Sequence, residues 1–300
     1  MVHLSTPAKD TGVFSTEEVH PPDGTAQVIS RVIAFPRNHY TRPPNVAAGF
    51  KQLHLSRAGP LRANLVGSDI TKDSFTVTVE TWGDGILYSA TGTWIEHKAG
   101  ARDCHFGQFD TAEVQPDARA TPQEVEARIS FPADVKRWKP AQRPPHVVCW
   151  LNRLDLAYEP GRNFRIAAHA TRISDQGFTA HLDTWGNTRM AGAAMCWIAF
   201  PRGKKGVATG SFSTSDVRLW SKPRAENSGT VKFADVGQQF GVVPTVLVAL
   251  NGFDIRGDAD LRVKVYVDEV TKEGFRWHLD TWGGTTLYSA SASWIALGFE

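Results

Sequence analysis

The stretch "HLDTWGGTTLYSASASWIAL" (His278–Leu297) has near-copies earlier in the chain, "VETWGDGILYSATGTWIE" from Val79 and "LDTWGNTRMAGAAMCWIAF" from Leu182. Repetition of this length marks either a fold-building unit or a working site that recurs. Working outward from it, each copy extends into a unit of about 100 residues. The units open on "TGVFSTEEV" (from Thr11), "FGQFDTAEV" (from Phe106) and "TGSFSTSDV" (from Thr209). An aromatic-led segment ending in proline follows, then an arginine after a bulky apolar residue: Arg62, Arg165 and Arg262. From that arginine, the steps to a phenylalanine, a first tryptophan and a second tryptophan are 13, 7 and 12 residues in all three copies. Spacing this regular predicts three units, 1–97, 98–201 and 202–300, each about large enough to form a core. Their connectors, "HKAGARDCHF" and "PRGKKGVATG", are short and favour packing of the units against one another.

Runs such as "FTVTVETW", "LRVKVYVDEV" and "TVLVAL" are rich in β-branched and aromatic residues and bounded by Gly, Asp, Asn and Pro. Each unit supplies about six, the makings of an antiparallel sandwich, and the class expected is all-β. A strand sends alternate side chains to opposite faces. In "FRWHLDTW", Phe275, Trp277, Leu279 and Thr281 share one face, and Arg276, His278, Asp280 and Trp282 the other. The same parity puts Trp82 and Trp185 on the polar face, whereas Trp94, Trp197 and Trp294 fall with small residues and read as core. On the preceding strand, Leu261, Val263, Val265 and Val267 point inward and Arg262 outward. Each unit thus carries an outward arginine and an outward tryptophan 20 positions apart.

Composition narrows the classes. The 33 basic and 31 acidic residues are well mixed and leave a net charge of +2, which predicts no nucleic-acid partner. The densest basic run, Arg202-Gly203-Lys204-Lys205, reads as a solvated linker. No run approaches the roughly 20 apolar residues of a membrane span, so no membrane insertion is expected. The opening "MVHLSTPAKD" lacks the apolar run of an export leader, and Cys104, Cys149 and Cys196 do not recur between units. Both point to a reducing, cytoplasmic location, with release to act outside the cell also compatible. Cys149 and Cys196 read as small core residues.

An indole beside a guanidinium suits a sugar ring: the apolar C–H face lies on the aromatic and the fork of the arginine takes hydroxyls. The fixed arginine-to-tryptophan spacing, the "TW" pairs and the string "YSASASWI" (from Tyr288) together resemble the H-type lectin family, of the agglutinin and discoidin C-terminal-domain kind. The resemblance covers almost the whole chain. It implies six-stranded antiparallel sandwiches assembled as a trimer, here an intramolecular pseudo-trimer, binding galactose or N-acetylgalactosamine at interfaces. It assigns sugar contacts to Arg62, Trp82 and Tyr88, to Arg165 and Trp185, and to Arg262, Trp282 and Tyr288. Asp23 and Asp117 are its candidates for an acidic contact from a neighbour's N-terminal segment, and further dimerisation of the whole is compatible with it. Unit two has Ala191 where the tyrosine falls, predicting a weakened site, and Gly83, Gly186 and Gly283 stand where some members carry a histidine.

The rival readings are an enzyme and a protein-interaction module that uses the same Trp/Arg surface. Against the first, there is no Gly-x-Ser-x-Gly elbow, His-Glu-x-x-His pair, Walker loop or dinucleotide fingerprint. The recurring acid, Glu80, Asp183 or Asp280, comes singly, whereas glycoside hydrolysis uses two. Neither cofactor nor metal is expected, and "DIRGDAD" (Asp254–Asp260) reads as a polar turn.

Overall fold

Strand formation follows the alternation closely. A computed structural model describes residues 12–115, 121–133, 135, 138–139 and 144–298. Repeat one forms β1 (Val13–Ser15), β2 (Val28–Ala34), β3 (Asn45–Leu55), β4 (Leu61–Ser68), β5 (Ser74–Glu80) and β6 (Leu87–His97). Repeat two forms β7 (His105–Asp110), β8 (Glu124–Ser130), β9 (His146–Leu156), β10 (Phe164–Thr171), β11 (Gly177–Asp183) and β12 (Met190–Phe200). Repeat three forms β13 (Val207–Ser213), β14 (Ser228–Lys232), β15 (Thr245–Ile255), β16 (Leu261–Asp268), β17 (Gly274–Asp280) and β18 (Leu287–Leu297). Among the described residues no helix is long and apolar enough to cross a membrane.

The repeated opening signature is a local device. Ser15, Asp110 and Ser213 each end a strand and cap a single 3-10 turn, with Glu18, Glu113 and Asp216 bonding back to complete a capping box. The threonine that follows is buried, and its hydroxyl accepts from the backbone N–H of Ala90, Ala193 or Ala290 at 3.0, 3.1 and 3.1 Å. That N–H sits beside a register shift in the adjoining ladder, and the hydroxyl satisfies a donor that would otherwise be buried without a partner.

Each repeat divides its six strands between two sheets, and each six-stranded sheet is shared by two repeats. The sheet orders are β2-β5-β4-β9-β12-β7, β13-β18-β15-β10-β11-β8 and β1-β6-β3-β16-β17-β14. The seams are β4 against β9, β10 against β15 and β16 against β3, all antiparallel. Repeat one therefore joins two, two joins three, and three joins one, so the three close a ring. Arg62 pairs with Asp155, Arg165 with Asp254 and Arg262 with His54 at equivalent register positions.

A large core runs through all three repeats, and Trp94, Trp197 and Trp294 lie in it as the parity requires. A second core, including Ala47, Trp150, Phe200 and Leu247, forms where β3, β9 and β15 approach one another. Here the repeats differ by necessity. Gly49, Trp150 and Ala249 occupy the same position of the three strands, and a Cβ added at Gly49 would stand 2.5 Å from the Cβ of Trp150 and 2.7 Å from that of Ala249. One indole fills the space, and glycine and alanine vacate it. All three cysteines are free and buried.

The basic linker reading needs correction. Lys204 pairs with Asp103 of the earlier connector, its side chain only 11% exposed, and Arg202 donates to the Pro144 carbonyl at 2.8 Å. Ring closure brings the two connectors together and takes the Lys204 charge out of open water, while Arg202 and Lys205 stay exposed as the sequence reading has them.

Candidate functional site

Each site tryptophan lies two residues past a strand and begins a tight turn, closed by Gly85 N–H to Trp82 O at 3.0 Å, Thr188 N–H to Trp185 O at 3.3 Å and Thr285 N–H to Trp282 O at 3.2 Å. The following glycine has a left-handed backbone in every repeat, with φ of 56°, 65° and 61° at Gly83, Gly186 and Gly283. It also lies against the arginine: an added Cβ would be 2.6 Å from Nη1 of Arg62, 2.8 Å from Nη1 of Arg165 and 3.0 Å from Cζ of Arg262. The guanidinium occupies the space that a larger residue would take. Its Nη1 donates to the turn, to Trp82 O and Trp185 O at 3.4 Å and to Gly283 O at 3.0 Å. The arginine of each repeat therefore bonds the turn that its tryptophan opens, at the tryptophan carbonyl in repeats one and two and at Gly283 in repeat three.

Gly283→Ala is accordingly expected to cost about 1–2 kcal/mol for the left-handed backbone alone and to displace Arg262. Thermal unfolding reads the first effect, and calorimetry at the third seam reads the second.

The arginines are less free than an outward strand position implies, because each lies on a seam. Nε of Arg62 donates to Asp155 at 3.1 Å and Nε of Arg165 to Asp254 at 3.2 Å, both acids belonging to the next repeat. At the third seam Nε of Arg262 donates to Nε2 of His54 at 2.9 Å, and its Nη2 to Asp260 at 2.6 Å. Here the acid has moved onto the arginine's own repeat. His54 must be neutral to accept that bond. Burial and the charge of Arg262 hold its pKa below the ordinary 6.5, against the opposing pull of Asp260 and Glu17. A histidine with a depressed value contributes fully above its unfolded pKa of about 6.5. The third seam should therefore weaken as pH falls through the lower folded value, whereas the first and second should not. NMR titration of His54 alongside binding at each pH checks this.

The tyrosines fall differently from the expected grouping. Tyr88 begins β6, which pairs with β3, whereas Arg62 and Trp82 belong to the other half of repeat one, in a different sheet. Tyr88 packs on His54 (ring centroids 4.6 Å), and His54 meets Trp282 edge-on at 5.9 Å. Tyr88 thus joins Arg262 and Trp282. Tyr288 begins β18 in the sheet that carries Arg165 and Trp185, and it flanks Asp254 through the Asp254–Ser289 register pair. The seam without a tyrosine is consequently that of Arg62 and Trp82, since Ala191 lies on β12 in that sheet. Asp23 precedes Gly24, which packs on the ring of Tyr88. This places the N-terminal segment of repeat one at the third seam, with the Asp23 carboxylate bound by Thr25. Asp117 lies outside the described residues.

Other side chains at the seams do not recur and were not legible as a pattern. Arg153 of repeat two lies over the Trp82 ring at 5.6 Å, as Arg62 does at 5.9 Å, and is itself gripped by Asp110 through bonds of 3.0 and 2.7 Å. A cleft of about 380 Å³ opens there, lined by Asn64, Glu80, Trp82, Asn152 and Arg153. At the third seam, Lys264 stands over Trp282 at 5.9 Å. At the second, Trp220 is 64% exposed and meets Tyr288 edge-on at 6.2 Å. The loop holding Trp220 is anchored by Arg218, whose guanidinium donates to the carbonyls of Tyr288 and Leu287 at 2.8 and 2.9 Å. An exposed indole at 220, in a polar loop, was the available signal.

Three sheets shared around a ring, each seam carrying an arginine bound to a Trp-Gly turn, define a repeated binding architecture. The H-type lectin domain model matches residues 30–95, 139–200 and 228–297, well over half of the chain, and the chain belongs to the H-type lectin family. It is a carbohydrate-binding lectin, of a family that binds without catalysis. A comparison with curated protein sequences finds no match.

Proposed function

We propose that the protein binds galactose- or N-acetylgalactosamine-type glycans at its seams and holds several at once. The observation carrying this reading is the arginine anchored beside the site tryptophan at all three seams. A half-exposed indole offers the C–H face of a galacto-configured ring an apolar platform, and the guanidinium donors take its hydroxyls at fixed geometry. Trp185, at 38% exposed, is the most open of the three platforms.

The second and third seams, with Tyr288 and Tyr88, supply the stronger sites. The first, lacking a tyrosine and covered on its indole by Arg153, is the weak one. Single sugar sites of about millimolar affinity are worth about 4 kcal/mol, and joint engagement raises the effective strength by about 10²–10⁴. The ring fixes the spacing of the sites, which favours ligands presenting terminal galactosides at matched intervals.

A glycan array followed by calorimetry tests this reading. Retention on immobilised galactose with release by free sugar is the expected result, with two of three sites filled at moderate sugar concentration. Retention that no monosaccharide displaces would instead assign the Trp/Arg surface to a protein partner.

A further inference from the structure

On the solvent face of β10 and β11, His169 and His181 stack in parallel, their rings 4.5 Å apart at an interplanar angle of 4°. Both present Nδ1 to the same carboxylate oxygen, Oδ2 of Asp183, at 3.8 and 3.9 Å, and Glu126 from β8 stands 3.6 Å from Nδ1 of His181. We propose that His169, His181 and Asp183, with Glu126 alongside, form a binding site for a divalent transition-metal ion of the zinc class.

The gaps carry the argument. Distances of 3.6–3.9 Å are too long for hydrogen bonds. They lie within the span of an ion about 2.0 Å from a nitrogen and about 2.1 Å from an oxygen. The donor atoms of His169, His181 and Asp183 all lie within 4.8 Å of one another, so closure requires only small side-chain rotations. The ring orientation agrees. Nε2 of His181 lies 2.7 Å from Oγ1 of Thr171. With Nε2 donating there, Nδ1 is the nitrogen left to ligate an ion on the side of the carboxylates. A second hydrogen bond of this kind is what orients a metal-binding imidazole. The other oxygen of Asp183 accepts from the Val125 N–H at 3.3 Å, leaving Oδ2 for the ion. His169 is about half exposed, giving an ion entry from solvent.

The other repeats provide an internal comparison. In repeat three the corresponding residues are Tyr266, His278 and Asp280. There the tyrosine hydroxyl closes on Asp280 at 3.0 Å, and His278, stacked on Tyr266 as His181 is on His169, has its Nε2 3.0 Å from Asp268, which stands where repeat two has Thr171. In repeat one they are Val66, Thr78 and Glu80, and the Asn64 amide occupies the carboxylate at 2.8 Å. Only repeat two leaves its carboxylate facing two imidazoles across unfilled gaps. Two imidazoles and carboxylate oxygens suit zinc, copper or nickel better than calcium.

The test is calorimetric titration of the full chain with Zn²⁺, with Co²⁺ absorption as a second reading of the ligand set. One ion per chain is expected. Binding should disappear in His169→Ala/His181→Ala, weaken about 10–100-fold in Thr171→Val and be unchanged in His278→Gln. The half-exposed position also gives His169→Gln, which leaves the fold intact should the double variant not fold, and it too should lose the ion. No uptake by the wild type, or equal affinity in His169→Gln, would overturn the assignment. The sugar reading stands or falls separately, since neither Arg165 nor Trp185 is among the ligands.

Discussion

Trp150→Ala is expected to destabilise the whole ring by about 3–5 kcal/mol. The indole is fully buried, its Nε1 donates to the Ser293 carbonyl of repeat three at 3.1 Å, and its Cβ side lies against Gly49 of repeat one. Truncation would therefore leave a cavity touching all three repeats and an unsatisfied carbonyl beside it. The surrounding strands cannot collapse into it readily, because each is held on both sides by its ladder. Urea unfolding should show a midpoint lowered with an unchanged slope, and all three seams should loosen together. Loss confined to repeat two would contradict a shared centre. The same geometry explains the fusion of the units: three copies of repeat two would bring three indoles to one point. A single chain lets glycine, tryptophan and alanine divide that space, and it removes the association cost of separate subunits, about 4–15 kcal/mol per docking event.

The parts of this fold legible in the sequence were those governed by alternation along one strand. Parity placed Trp94, Trp197 and Trp294 inside and Trp82, Trp185 and Trp282 outside the cores, since a pleated backbone sends alternate residues to opposite faces. It put Asp280 outward too, but that carboxylate is buried under the Asn227 N–H and the Tyr266 hydroxyl. What parity could not supply was which strands pair across repeats. Tyr88 was grouped with Trp82 because the resemblance was carried across one repeat at a time, but the chain crosses from one sheet to the other between them. Asp155, Asp254 and His54 escaped notice as arginine partners for the same reason. They are near in space only through ladders joining residues about 90 to 210 positions apart. Trp150 and Gly49 were hidden because the pattern search sought residues that repeat, and the centre of the ring demands residues that do not. Lys204, read as solvated, was paired by ring closure.

Trp282→Ala and Trp185→Ala, made separately, are each expected to lower avidity for a multivalent galactoside surface by about 10²–10⁴, while Trp82→Ala has little effect. The first two seams to consider are those carrying a tyrosine: at the third, Arg262 bonds His54 and Tyr88 packs on His54, and at the second, Arg165 bonds Asp254, which pairs in register with Ser289 beside Tyr288. These are the proposed ligand positions. A single sugar site binds with about 4 kcal/mol, and a lost aromatic platform removes roughly half of that, leaving no measurable occupancy. The protein then holds the surface by one seam instead of two. At the first seam Arg153 covers the Trp82 face, Asp110 holds it there, and Ala191 replaces the tyrosine, so little sugar affinity exists to be lost. Surface plasmon resonance on a galactosylated chip, set beside calorimetry with the monosaccharide, separates avidity from intrinsic affinity. The double variant should fall to background while retaining the melting temperature of the wild type, because all three tryptophans lie at turns outside both cores. Were Trp82→Ala instead the most damaging change, the seam geometry would require a different ligand: one that accepts Arg153 over the indole, and therefore an acidic sugar that pairs with that guanidinium in the cleft.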